Sequence, residues 1–121
     1  MASSYPLERG MVILLEEVKR TLEIEGDQLD GQLNDFIGRI TDRLLLRLGE
    51  EFIPPELEFI VVETTVKRFN LKGNEGMSSY SQEGESITYA DLFHEYADDI
   101  NLWIANRDLK ANNLLGKLRF L

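Results

Sequence analysis

A chain of 121 residues with 43% hydrophobic side chains can bury one modest core, and residues 1–121 read as a single domain. Its net charge of −9 opposes nonspecific adherence to nucleic acid, which is driven by Lys and Arg displacing the counterions of phosphate. The absence of cysteine excludes disulfides, thiol nucleophiles and every cysteine-based metal site.

The opening Met-Ala-Ser-Ser-Tyr-Pro has no basic region ahead of an apolar stretch. The apolar runs elsewhere are only a few residues long, so the sequence predicts neither export nor membrane spanning and fits cytosolic synthesis. Met11, Leu14, Leu15, Val18 and Leu22 then recur at three- and four-residue spacing, with Glu16, Glu17, Lys19 and Arg20 on the other side. That pattern predicts a first helix from Leu7 to Glu23, stopped by Gly26. Asp27 or Asp30 is expected to cap the next helix.

Leu29, Leu33, Phe36, Ile37, Ile40, Leu44 and Leu48 form the clearest helical stripe, opposite Asp35, Arg39, Asp42 and Arg43. Gly49 supplies a left-handed stop. Pro54 and Pro55 can open a third helix, because a proline at the first helical position forfeits no hydrogen bond. Residues 57 to 69 are rich in strand-favouring Phe59, Ile60, Val61, Val62, Thr64, Thr65 and Val66. Glu56, Glu63 and Lys67 break strict alternation, however, and the segment is longer than a usual strand, so it reads as a buried helix.

A polar stretch follows over residues 70–88, and loops of that length are usually functional or disordered. Thr88 with Asp91 resembles a capping box, and Leu92, Phe93, Tyr96, Ile100, Trp103 and Ile104 predict a fourth helical face ending near Asn106. Asn112 and Asn113 break that pattern, leaving residues 114–121 as a weakly alternating tail. The expectation is all-α: a small bundle of about four helices with a long polar loop over 70–88 and an extended C-terminal tail.

Nothing in this pattern assembles a catalytic centre. His94, the one histidine, lies beside Glu95 and far in sequence from any nucleophile, so it reads as structural or exposed. Adjacent carboxylates at 16–17, 50–51 and 98–99 point apart on a helix and cannot act as acid–base pairs. Glu23, Glu25, Asp27 and Asp30 lack the order and terminal Glu of a calcium loop and suit capping and dipole compensation instead. Trp103, Tyr96 and Phe93 have the spacing of a core face rather than of a base-stacking platform. Catalytic, cofactor and metal sites are therefore all expected to be none.

Charge is strongly segregated. Residues 1–66 carry 6 basic and 14 acidic side chains, residues 67–73 three basic and none acidic, residues 74–106 seven acidic and none basic, and residues 107–121 four basic and one acidic. A basic tail behind an acidic body suits head-to-tail contact between copies. Lys67, Arg68 and Lys72 ahead of Gly73-Asn-Glu-Gly76 also admit a second reading, a small nucleic-acid-binding or DNA-packaging regulatory protein, although Glu75 would face phosphate and the strands of such a module are missing.

Three pieces of the chain resemble the head-tail connector (adaptor) family of long-tailed bacteriophages, whose members are often described as DNA-packaging proteins. They are a helix ending in an acidic Gly-Asp turn followed by Leu29 to Leu48 and Ile53-Pro-Pro-Glu-Leu57; the stretch Arg68-Phe-Asn-Leu-Lys-Gly-Asn-Glu-Gly-Met77 with a later Gly84; and the ending Gly116-Lys-Leu-Arg-Phe-Leu121. The resemblance implies a helical bundle without enzymatic activity that forms a ring, a dodecamer, beneath the portal protein in the virion. It also implies contact with a downstream connector or tail protein and passage of DNA without sequence-specific binding. Its expected assembly residues are Arg68, Asn70, Lys72, Gly73, Glu75, Gly76, Met77, Lys117, Arg119, Phe120 and Leu121.

Overall fold

The computed structural model describes residues 5–73 and 92–119, and among these the protein is built from helices alone. Helix α1 spans Tyr5–Leu22, α2 Asp30–Leu48, α3 Glu58–Gly73 and α4 Ala97–Arg119. Short 3-10 turns at Pro55–Leu57 and His94–Tyr96 lead into α3 and α4. The all-α expectation holds. The polar loop expected over 70–88 lies, from residue 74 onward, outside the described residues, as does the Thr88–Asp91 capping box.

The core follows the three- and four-residue spacing of the sequence. Leu14 and Val18 of α1 meet Leu33, Ile37, Ile40, Leu44 and Leu48 of α2, and Met11, Leu15 and Leu22 cover the margin. Helix α3 packs against both α1 and α2. Its Ile60, Val61, Thr64 and Thr65 are all fully buried, so two adjacent pairs spaced four apart give it a broad inward stripe. This burial overrides the strand preference of its β-branched residues, which amounts to only a few tenths of a kcal/mol each, roughly. Pro55 opens the preceding 3-10 turn, where its missing N–H costs nothing.

The helix ends depart from expectation in two places. Gly26 does not stop α1: the helix finishes at Leu22 and Glu23 itself takes the left-handed conformation, φ 58°, with the Ile24 N–H donating to the Lys19 carbonyl at 2.9 Å. Nor does an aspartate side chain cap α2. Leu29 holds the cap position without a side-chain bond, and Asp30 instead pairs with Lys19 Nζ at 2.9 Å. The ammonium in the last turn of α1 attracts the carboxylate more strongly than a backbone N–H does, and the bond to Asp30 in turn holds the Lys19 ammonium above its ordinary pKa. Gly49 behaves as expected: at φ 71° it donates its N–H to the Leu45 carbonyl at 2.8 Å.

The largest correction concerns the C-terminal region. The fourth helix does not end near Asn106 but continues through Asn112 and Asn113 to Arg119, so the tail leaves the body as a helix. Asn carries only a modest helix penalty, on the order of 0.5 kcal/mol, which two residues cannot turn into a break.

Candidate assembly surfaces

Three surfaces gather the residues of interest. The first is the C-terminal end of α3, where Lys67, Arg68 and Lys72 fall within two turns. Arg68 and Lys72, four residues apart, both lie over the ring of Phe36 on α2, at 5.7 and 5.6 Å from its centroid. Lys67 Nζ sits 2.6 Å from Glu95 Oε1 and 4.6 Å from the centroid of Tyr96. Burial alone would lower the Lys67 pKa, but its bonds to Glu95 and Tyr96 prevail and hold the ammonium above its ordinary value. The Tyr96 hydroxyl donates to Glu63 Oε1 at 3.0 Å, and burial raises its pKa. A polar clasp, Lys67–Glu95 with Tyr96–Glu63, thus joins α3 to the turn that precedes α4, and Phe59 stacks edge-on against Tyr96 at 5.9 Å.

The second surface is the root of α4. Tyr96 and Ile100 are buried, and Trp103 and Ile104 pack on the core margin, which places the predicted aromatic face inward as expected. Trp103 Nε1–H donates to Glu56 Oε2 at 2.9 Å. Arg107 Nη1 donates to the Leu48 carbonyl at 2.6 Å and to Glu50 Oε2 at 2.9 Å, and its guanidinium lies 5.3 Å from the Trp103 ring centroid. The carbonyl at Leu48 is one of those that α2 leaves without an intrahelical partner, so Arg107 closes the end of one helix while fastening another. Beyond Arg107, every residue from Asp108 to Leu115 is exposed.

The third surface is a groove on the opposite side of α3, a cavity of ≈ 180 Å³ lined by Gly10, Met11, Leu14, Thr41, Phe52, Ile53 and Glu58. Its walls are mainly apolar. Burial, and then the neighbouring carboxylate of Glu17, raise the pKa of Glu58.

Of the expected assembly residues, Arg68, Asn70 and Lys72 are gathered on the last turns of α3, which Gly73 ends. Lys117 and Arg119 fall on the last turn of α4, at the far end of the arm. Glu75, Gly76, Met77, Phe120 and Leu121 lie outside the described residues. Sequence reasoning missed Arg107 and the groove. Arg107 is legible as a lone cation four residues after Trp103, behind a long acidic stretch; the groove depends on how α1 meets the residue 52–53 segment and has no local signal.

His94 is exposed, and among the described residues no three potential metal ligands come together. No helix of the described residues is long and apolar enough to cross a membrane. No curated protein and no solved structure gives a significant match to the chain. The model of one family, described as phage gp6-like head-tail connector protein, matches residues 12–103, a span from the middle of α1 to the root of α4 that contains the whole core. With its helical bundle and its resemblance over the Arg68–Met77 stretch, the chain belongs to the phage gp6-like head-tail connector family.

Proposed function

We propose that residues 1–121 act as a single connector domain whose copies form a ring, a dodecamer, beneath the portal of a filled capsid. The ring joins head to tail by meeting the portal on one side and a downstream connector or tail protein on the other. The subunit is made in the host cytoplasm and functions in the virion at the head-tail junction. The observation that carries this reading is the family match over residues 12–103. Membership places the protein among virion structural components, and the charge distribution supports the finer assignment. An acidic wall repels phosphate, so DNA held in or leaving the capsid would slide past it with little adhesion.

The cations that favoured nucleic-acid binding are engaged within the subunit. Arg68 and Lys72 cover Phe36, and Lys67 pairs with Glu95 beside Tyr96. Such contacts stabilise the bundle by about 0.5–1 kcal/mol each at exposed sites and would be lost if the side chains turned to phosphate. Electron microscopy of the protein mixed with portal is expected to show added ring density below the portal. Absence of that density, together with DNA binding that weakens steeply with salt, would instead support the packaging-regulator reading.

A further inference from the structure

The apolar stripe by which α4 covers the body does not stop where the body stops. Ile100, Trp103, Ile104 and Arg107 lie on the covered side, and the same three- and four-residue spacing continues as Ala111, Leu114 and Leu115. Leu114 and Leu115 are 60% and 55% exposed. The arm from residue 108 to 119 extends about 18 Å at the helical rise of about 1.5 Å per residue, enough to lie across a neighbouring helix. A helix of that length is marginal in water by itself, so an apolar stripe along it favours a surface to dock on.

The groove beside α1 has the complementary properties. It is lined by Met11, Leu14, Phe52 and Ile53, and Phe52 is 42% exposed at its rim. At ≈ 180 Å³ it has room for a leucine side chain, since a cavity of about 150 Å³ accepts benzene. Glu58 at its edge, with Glu17 beside it, presents negative charge. The arm brings Lys110, one turn before Leu114, together with Lys117 and Arg119.

The two features also lie on opposite sides of α3. Glu63 faces the α4 side through Tyr96, and Glu58, five residues earlier, points about 140° away at about 100° per residue. An element on one side and its receptor on the other give a heterologous contact, which adds copy after copy and closes only as a ring.

We propose that the arm of α4, residues 108–119, docks in trans on a second copy of this chain, Leu114 seating in the groove between Met11, Leu14, Phe52 and Ile53 while Lys110 meets Glu58. This rests on the reading of the protein as a self-assembling connector, and the family match, which ends at Trp103, does not extend to the arm.

The chain contains no cysteine, so introduced ones report a single contact. Two full-length variants, Leu114→Cys and Phe52→Cys, are mixed at assembling concentration under mild oxidation. The mixture is expected to give a disulfide-linked dimer at roughly tenfold the yield of either variant alone. Glu58→Lys in the Phe52→Cys chain is expected to reduce that yield severalfold, and Lys110→Glu in the Leu114→Cys chain to restore it. Rings visible by microscopy without the mixed crosslink would overturn the docking while leaving the connector reading intact. Absence of both rings and crosslink would overturn both. In a chain carrying both cysteines, a crosslink confined to the monomer would show that the arm folds back on its own subunit, and would likewise overturn docking in trans.

Discussion

Valine at position 64 or 65 is expected to make this protein more stable. Both threonines are 0% exposed on α3, and neither hydroxyl has a hydrogen-bond partner among the described residues. Burying a hydroxyl without a partner costs about 1–3 kcal/mol by mutational measures. Valine keeps the shape of threonine, differs little in helix propensity and replaces the hydroxyl by a methyl group. A gain of about 1.5 kcal/mol per substitution is therefore expected, or about 6 °C in Tm for a chain of this size. Consecutive helical residues point about 100° apart and meet different neighbours, so the double variant should gain nearly twice as much. Urea unfolding followed by far-UV circular dichroism should show the midpoint rising with the m value unchanged. Thr65→Ser serves as the control, keeping the hydroxyl and losing the methyl group, and should destabilise. Unchanged or lowered midpoints for both valine variants would refute the reasoning, because they would mean that the hydroxyls are hydrogen-bonded in the folded protein.

Glu23→Gly should stabilise by about 1 kcal/mol, since Glu23 occupies a left-handed conformation that glycine adopts without strain; thermal melts of the two proteins test this. Glu58→Gln should raise stability at pH 7 and have little effect near pH 4. Burial and Glu17 lift the folded-state pKa of Glu58 above its ordinary 4.5, so its ionised form opposes folding. Its stabilising protonation is fully present below pH 4.5 and lost as pH rises through the higher folded value, and unfolding curves across that window measure it. Removing residues 116–121 should leave Tm nearly unchanged while reducing ring assembly, which melting curves and sedimentation velocity would separate; loss of the fold would show that the segment belongs to the core.

The first three helices were legible because their burial follows local rules. Leu33, Ile37, Ile40, Leu44 and Leu48 repeat at helical spacing, Gly49 ends the run, and the prolines mark the next start. The β-branched α3 was decided by its length and by the positions of its charges rather than by propensity. The end of α4 was not legible, because Asn112 and Asn113 read as a break and the apolar residues beyond them as a weakly alternating tail, whereas the modest helix penalty of Asn lets the helix run on to Arg119. The cap of α2 failed for a different reason: the partner that draws away Asp30 is Lys19, eleven positions earlier and adjacent only once the first two helices have folded together. The family stretch was recognisable by pattern at Arg68–Met77, but the role of Phe36 beneath Arg68 and Lys72 required the packed pair of helices.

Arg107 holds the Leu48 carbonyl and Glu50, and only two residues beyond Glu50 the chain reaches Phe52 and Ile53 in the wall of the groove. Donor arm and acceptor groove are thus tied to one short length of backbone. A pull on the arm of one subunit reaches the wall of its own acceptor through the Arg107 guanidinium on one side and the Trp103–Glu56 hydrogen bond on the other. In an assembling ring, each subunit engaged by its arm would present a pre-set groove to the next, so closure of the ring would be cooperative, and Arg107 and Trp103 are the residues through which that cooperativity would pass.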